Sequence, residues 1–252
     1  MLHDYFQLEG DILLLPARVV YIKSIRALVL ADVHIGIEFS AAVKGVFLPS
    51  VQYSEIKDLL NDLLIEYHPD KLIIVGDFKH EFSRKTTQEL REIVDMLEFI
   101  ESFGIDFVLV RGNHDNFLRG FLDDFKVTFV EPFYSEGKYT FIHGHQDIPL
   151  DDIPGDFIIM GHEHPSILLV DDVGAKAKVP VFLFGEFKDK RILVLPAFSP
   201  LAPGSEINVL RREDLLSPIL RNIPLDRFRI YPALSKGLLP PIELKDARLV
   251  II

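Results

Sequence analysis

Residues 28–34 of this chain, Leu-Val-Leu-Ala-Asp-Val-His, indicate its fold most clearly, because a short apolar run leads directly into an Asp and a His. Four later blocks also follow apolar runs: Gly76-Asp77, Gly112-Asn113-His114-Asp115, His143-Gly144-His145 and Gly161-His162-Glu163-His164. Seven of the nine histidines lie in these five blocks or directly after one, at His80. Imidazole and carboxylate groups are the ligands that hold divalent transition metals, so this clustering predicts a binuclear metal site.

Strand and helix signals alternate through the first half of the chain. Three apolar runs, each followed by one of the blocks, predict buried strands at residues 28–31, 72–75 and 107–110. Apolar side chains at helical spacing predict two helices between them, at residues 51–67 and 87–103. Ser50 is a suitable N-cap for the first helix, and Thr86 with Glu89 matches a capping box for the second. This βαβαβ order predicts parallel strands with helices packed outside them.

The second half of the chain has a different character. Short strand-like runs recur with turns between them at residues 139–142, 157–160, 167–170, 181–184 and 192–195. They predict a second, more antiparallel sheet. The proline-rich tail predicts loops and edge strands that wrap the body, with a final strand at 248–252. We expect one domain over residues 1–252, with core motifs over about 26–200 and a wrapping segment over about 201–252.

The composition limits the classes of protein that the chain can belong to. Hydrophobic residues make up 48% and charged residues 26% of the 252 residues, as in an ordinary globular protein. The absence of Cys excludes disulfides and thiolate metal sites and fits a reducing compartment. The apolar runs are too short to span a membrane, and the N-terminus lacks the pattern of a signal peptide, so we expect a cytoplasmic protein without membrane contact.

The net charge of −11 gives the chain no electrostatic attraction to bulk nucleic acid, which counts modestly against a non-specific nuclease. The argument is weak, because two bound divalent cations would add four positive charges where a phosphate must bind.

The spacing within two blocks suits metal binding. In an extended segment, residues i and i+2 project to the same face, so Asp32 with His34, and His162 with His164, can each present two ligands to one small volume. Asp77 has no ligand two residues later and is expected to act alone, as a carboxylate that can bridge two cations. Loops at the carboxyl ends of strands are where ligands bind in α/β sheets, so the five blocks are expected to converge.

The order of the blocks resembles that of the calcineurin-like metallophosphoesterases over about residues 30–165. The chain as a whole, including Pro196-Ala197-Phe198-Ser199-Pro200, is similar to the archaeal and bacterial subgroup often called ligase- or helicase-associated. The resemblance implies an α/β fold, a four-layer αββα sandwich of two mixed β-sheets flanked by helices.

The same resemblance implies a role for each residue of the blocks. The first divalent cation would be held by Asp32, His34, Asp77 and His164. The second would be held by Asp77, Asn113, His143 and His162. Asp77 would bridge the two cations, His114 would be a catalytic histidine that binds no metal, and Asp115 would orient it. The family implies Mn²⁺, although nitrogen and oxygen ligands also suit Fe, Ni or Zn.

The implied reaction is hydrolysis of a phosphodiester derived from a nucleotide or a nucleic acid. Two cations would share a bridging water and lower its pKa, so that hydroxide attacks phosphorus while His114 stabilises charge or protonates the leaving group. One alternative is a DNA nuclease that works with a helicase or ligase. Another is a non-catalytic scaffold on the same fold, which the complete ligand set disfavours. The sequence leaves the oligomeric state open.

Several residues near the blocks have less specific expectations. Many relatives have Asp where this chain has His80, which we expect at the rim of the site. His145 could line the site or only hydrogen-bond within its turn. Glu163 is expected to face away from its flanking histidines, in a structural or solvent-exposed role. Lys79 and Arg119 are expected to be solvated surface residues.

Overall fold

The first half of the chain builds a seven-stranded sheet whose strand order follows the sequence. The computed structural model describes residues 5–43, 45–46, 51–81, 87–234 and 237–248. The strands of this sheet are β1 (Phe6–Glu9), β2 (Ile12–Leu15), β3 (Val19–Ile22), β4 (Ala27–Leu30), β5 (Lys71–Val75), β6 (Asp106–Val110) and β7 (Val127–Val130). The accompanying helices are α1 (Ile37–Val43), α2 (Gln52–Tyr67), α3 (Thr87–Ser102) and α4 (Arg119–Leu122).

The predicted βαβαβ unit is present. Strands β4, β5, β6 and β7 are parallel neighbours, and α2 and α3 are the crossovers of the first two connections. An antiparallel hairpin of β2 and β3 precedes this unit. Parallel pairing places the carboxyl ends of β4, β5 and β6 at one edge of the sheet, which is the edge that carries the first three blocks.

The second half of the chain builds a mixed sheet. Its strands are β8 (Phe133–Glu136), β9 (Tyr139–Ile142), β10 (Phe157–Met160), β11 (Pro165–Val170), β12 (Lys176–Phe187), β13 (Lys190–Val194), β14 (Ser205–Glu206), β15 (Arg229–Leu234), β16 (Gly237–Leu238) and β17 (Ile242–Glu243). Strands β9, β10 and β13 run parallel, whereas β8 and β12 pair antiparallel with their neighbours. The last two ligand-bearing blocks follow the adjacent parallel strands β9 and β10.

Successive side chains along each strand point to opposite faces of its sheet, and each face packs into a different apolar layer. In β4, Leu28 and Leu30 face the apolar cluster that holds α2 and α3, and Val29 faces the cluster between the two sheets. In β10, Ile159 joins the cluster between the sheets and Ile158 points outward. The outer face of the second sheet is covered by the short helix α5 (Pro218–Arg221) and 3₁₀ turns around it. The predicted sandwich of two mixed sheets flanked by helices is therefore confirmed.

Several details differ from the sequence-based expectations. Strand β12 is much longer than its predicted core, and the short helix α1 lies in a segment that carried no helical stripe. Ser50, Thr86 and residues 249–252, which carried predictions of two caps and a last strand, lie outside the described residues. Glu89, the other half of the predicted capping box, accepts a hydrogen bond from the backbone N–H of Glu81 at 2.8 Å. Among the described residues, no helix has the length and apolar character needed to cross a membrane.

A glycine of β12 gives a test of the outer layer. A Cβ placed on Gly185 would overlap the ring of Phe228, which packs in the outer apolar cluster. We expect Gly185→Ala to lower the free energy of unfolding by about 1–3 kcal/mol, because the ring must shift within a close-packed core. Denaturant unfolding would measure the loss. Gly120→Ala is the matched control, since a Cβ there meets nothing within 4 Å, and equal stability of the two variants would contradict the packing.

Candidate active site

Loops from both sheets bring the predicted site residues together. Asp32 and His34 follow β4, and Asp77 follows β5 directly after Gly76. The second sheet contributes His143 after β9, and His162 with His164 after β10. Backbone hydrogen bonds join neighbouring loops, from Asp32 N to Gly76 O at 3.1 Å and from His34 N to Asp77 O at 2.9 Å. The carboxyl ends of the strands therefore form one continuous site, as the order of the blocks predicted.

Five of the predicted ligand residues have left-handed backbone conformations. Their φ angles are +59° for Asp32, +50° for His34, +50° for Asp77, +67° for His162 and +47° for His164. Such a conformation costs a non-glycine residue about 1–3 kcal/mol and persists only where the surroundings determine it. Strain of this kind clusters at functional sites, because it aims side chains where regular strands could not.

One group of four buried side chains could hold a divalent cation. Each residue offers one ligand atom, and these atoms all lie within 4.8 Å of one another; the residues are Asp32, His34, Asp77 and His164. His164 Nε2 lies 3.2 Å from Asp32 Oδ1 without meeting hydrogen-bond geometry, so this buried nitrogen has no hydrogen-bond partner among the described residues. A buried acceptor nitrogen aimed at a carboxylate fits a cation between them.

A second group shares Asp77 with the first. Ligand atoms of Asp77, His143 and His162 also lie within 4.8 Å of one another. His143 Nε2 is 3.4 Å from Asp77 Oδ2 and 3.1 Å from Asn113 Oδ1, so the amide of Asn113 joins this group. All seven predicted metal ligands thus surround one volume, with the Asp77 carboxylate common to both groups. Their assignment as ligands stays a prediction.

The outer nitrogens of two histidines are held by backbone carbonyls. His143 Nδ1 lies 3.1 Å from Val75 O, and His164 Nδ1 lies 3.0 Å from Pro203 O. A carbonyl only accepts, so in each ring Nδ1 carries the proton and Nε2 is left to face the site. Histidines that ligate metals usually have such a partner, which fixes the tautomer and the orientation of the ring.

The charges of the site favour a bound cation. Burial raises the pKa of Asp32 and of Asp77, but the neighbouring imidazoles outweigh it, so both pKa values lie below their usual range. Burial alone would lower the pKa of His143, yet Asp77 and Asp32 raise it to about 9. Burial lowers the pKa of His34 to about 3 and that of His162 to about 4. Both carboxylates are ionised, and a divalent cation would take the place of the proton on His143, so that the imidazoles bind it in their neutral form.

His114 lies beside the cluster, and its neighbours differ from the expectation. Its backbone N–H donates to Asp77 Oδ1 at 2.8 Å, and its ring stands edge-on to that of His34, with centroids 5.1 Å apart. Its Nδ1 contacts the carbonyl oxygen of His80. Asp115 is buried, and its carboxylate accepts N–H bonds from Phe78 at 2.8 Å, Lys79 at 3.3 Å and Gly112 at 2.8 Å.

These contacts indicate that Asp115 holds the loops after β5 and β6 together. The carbonyl oxygen of His80 is the group that contacts the His114 ring at Nδ1. Orientation of His114 by Asp115 stays a prediction. His80 also reaches the cluster itself, since its Nδ1 lies 3.3 Å from His34 Nδ1.

Other predictions for residues near the site have mixed outcomes. The prediction that Lys79 is solvated is wrong, because only 3% of the residue is exposed and its ammonium group binds the carbonyl of Glu81. Arg119 is exposed, as predicted. His145 is half-buried beside His143, and its Nδ1 has no hydrogen-bond partner among the described residues. Glu163 is fully buried and bonds backbone N–H groups, so its structural role is confirmed and its solvent role is wrong.

The fold and the cluster together define a metal-dependent phosphoester hydrolase. A model of the calcineurin-like phosphoesterases matches residues 25–226, and the chain therefore belongs to that family. The buried Asp/His cluster fits the divalent metal site that such an enzyme needs.

The chain is also similar in fold to proteins of known structure. The nuclease MPE of Pseudomonas putida is 24% identical with a TM-score of 0.64, over 95% of this chain and 100% of that one. The phosphoesterase YfcE of E. coli is 13% identical with a TM-score of 0.43, over 86% of this chain and 98% of that one. Among curated proteins, none matches the chain.

A glycine beside the shared carboxylate gives a direct test of the cluster. A Cβ on Gly112 would overlap Asp77 Oδ1 and the Asp77 backbone nitrogen. Binding to the folded state raises stability by about 2.7 kcal/mol at a ligand concentration of 100 times Kd. We expect Mn²⁺ to raise the Tm of the metal-stripped protein but not that of Gly112→Ala, because Asp77 is displaced. An equal Tm increase in both proteins would contradict a site built on Asp77, and Gly120→Ala serves as the control.

Proposed function

We propose that the protein is a phosphodiesterase that depends on two divalent cations, most favourably Mn²⁺, and acts on a phosphodiester derived from a nucleotide or a nucleic acid. The single observation that carries this proposal is the placement of Asp77. Its carboxylate belongs to both groups of candidate ligands and also accepts the backbone N–H of His114. One residue thus fixes the position of the proposed catalytic histidine relative to both cation positions.

The chain's own residues would each have a defined task. Asp32, His34 and His164 complete the first cation position around Asp77, and Asn113, His143 and His162 complete the second. Bound there, two divalent cations would supply Lewis acidity and lower the pKa of a water molecule to near neutrality. The Val75 and Pro203 carbonyls hold His143 and His164 in one tautomer, so their Nε2 atoms face the site before any substrate arrives.

His114 is placed to handle the proton and the charge of the reaction. Because its Nδ1 faces the His80 carbonyl, that nitrogen carries a proton, and Nε2 is the atom that would hold or release the second one. In the protonated form the imidazole would stabilise charge on the phosphoryl oxygens or protonate the leaving alkoxide. The alkoxide that a nucleotide or nucleic-acid diester releases is a poor leaving group, so a proton donor at this position supports such a substrate.

A DNA nuclease is the second candidate. The fold similarity to a nuclease, over the whole of that chain, supports nucleic acid as the source of the diester. The net charge of −11 opposes tight binding to nucleic acid by this chain alone. We therefore propose that a helicase or ligase partner would supply the affinity if DNA is the substrate.

The first test of the proposal is the metal dependence of diester hydrolysis. Metal-stripped protein would be assayed on bis-p-nitrophenyl phosphate and on p-nitrophenyl phosphate, with Mn²⁺, Mg²⁺, Ni²⁺ and Zn²⁺ added in turn. We expect hydrolysis that requires Mn²⁺, is much faster on the diester, and is lost in Asp77→Asn, since that variant removes the shared negative charge. Absence of hydrolysis together with absence of metal uptake would support the scaffold alternative. Cleavage of single-stranded or hairpin DNA by the Mn²⁺-loaded protein would favour the nuclease.

The second test separates His114 from the metal ligands. We expect His114→Asn to bind both cations with wild-type affinity, because its ring belongs to neither of the two groups that together supply the seven ligands. Turnover of a diester with a poor leaving group should fall about 10²–10⁴-fold, the usual contribution of a general acid. Diesters with good leaving groups should lose much less. Metal binding by calorimetry and rates on the two kinds of diester are the measurements, and equal rates for variant and wild type would remove His114 from the mechanism.

A further inference from the structure

A segment far along the chain links the two ligand-bearing loops of the second sheet. Ser217 is fully buried, and its hydroxyl donates to the carbonyl oxygen of Gly144 at 2.8 Å. Gly144 lies between His143 and His145 in the loop after β9. The backbone N–H of the same Ser217 donates at 2.8 Å to Oε2 of Glu163, which lies between His162 and His164 in the loop after β10.

Both carboxylate oxygens of Glu163 accept hydrogen bonds from this segment. Its Oε1 accepts the N–H of Leu216 at 3.2 Å, while Oε2 accepts the N–H of Ser217. Glu163 itself is 0% exposed, although it lies between two residues with left-handed backbone conformations. A buried carboxylate that binds two successive backbone N–H groups holds its loop rigidly, since neither bond can be exchanged for water.

The hydroxyl of Ser217 does not cap the helix that follows it. Ser217 is the N-cap residue of α5, where a serine oxygen commonly accepts an N–H of the helix, yet it makes no such capping bond. It reaches across to the Gly144 carbonyl instead. The segment is anchored by apolar side chains on both sides of Ser217, because Leu215, Ile219 and Leu220 are buried in the outer cluster.

We infer that Ser217 and Glu163 are positioning residues that set the distance between the His143 and His162 loops, and with it the affinity of the second cation position. This inference rests on the two-cation function proposed above. The two loops contribute one histidine each to the second group of ligands, and the two imidazole centroids lie 4.9 Å apart. Outer partners of ligands typically change metal affinity or activity by about 10–100-fold when they are removed.

The two residues are expected to differ in the cation they affect. The hydroxyl of Ser217 bonds only the loop that carries His143, which belongs to the second group. Glu163 lies in the loop that carries His162 and His164, and these two residues belong to different groups. Loss of the Ser217 hydroxyl should therefore weaken the second cation alone, whereas a change at Glu163 should weaken both.

The test is Mn²⁺ binding to the metal-stripped full-length protein by calorimetry, together with diester hydrolysis as a function of Mn²⁺ concentration. In Ser217→Ala we expect Kd of the second cation to rise about 10–100-fold with the first unchanged. The Mn²⁺ concentration for half-maximal rate should rise by the same factor, and kcat at saturating Mn²⁺ should stay near wild type. A purely structural loss would lower the rate at every Mn²⁺ concentration without moving the half-maximal point.

Thr140→Val is the matched control. It removes a hydroxyl that donates at 2.6 Å to the carbonyl of Pro154, from a fully buried residue of β9, the strand that leads into His143. Glu163→Gln is the second variant and keeps the test decisive if Ser217→Ala does not fold, because it retains the shape of the side chain but only one acceptor oxygen. We expect it to raise Kd for both cations.

The inference is overturned if both variants bind Mn²⁺ like the wild type, or if Thr140→Val weakens binding as much as Ser217→Ala does. Failure of the proposed function looks different, because the wild type itself would then bind fewer than two cations. In that case the inference is judged on the cation that does bind, and an unchanged Kd in Glu163→Gln overturns it.

Discussion

Two buried carboxylates, Asp32 and Asp77, impose the constraint on which the rest of the structure depends. Transfer of an ion out of water still costs several kcal/mol after relaxation, and the two like charges also oppose each other. The fold compensates with backbone donors, from His162 N to Asp32 at 3.0 Å and from His114 N to Asp77 at 2.8 Å. Each donor comes from another ligand-bearing loop, so the loops must converge wherever the charges are buried. The architecture of the site follows from this requirement.

The convergence is maintained by strained backbone, and the strain is offset by bonds between loops that are distant in sequence. Asp32 has a φ of +59°, and its peptide groups bond Gly76 O and the N–H of Ser199. Pro203, four residues after Ser199, supplies the carbonyl that fixes His164. Residues 199–203, where the predicted wrapping segment begins, therefore also hold Asp32 and His164, two of the four residues of the first cation position. The same logic applies to Ser217, which lies farther along this tail.

The sequence predicts the elements well because their signals are local. Apolar runs with period two and helical stripes depend on nearest neighbours, and β9 and β10 begin and end at the predicted residues. Convergence of the blocks was also predictable, because parallel strands share one edge. Three features could not be predicted: the burial of Lys79, the hydrogen bonds of Asp115 with backbone N–H groups, and those of Glu163 with residues 216–217. Each depends on a partner far along the chain or on a loop path, and a charged residue in a loop carries no local signal of burial.

The energetics of the cluster also bear on its purpose. A buried group of ions is generally no more stable than a well-packed apolar core of the same volume, and strained φ angles add to its cost. A scaffold that only presents an outer surface gains nothing from such a cluster. A cation that binds the folded state returns free energy in proportion to the logarithm of its concentration over Kd. The cluster is arranged around the shared carboxylate of Asp77, its His143 and His164 rings are held in fixed tautomers, and the His114 ring lies at its edge. Metal chemistry best explains this arrangement, and the fold gives up stability for it.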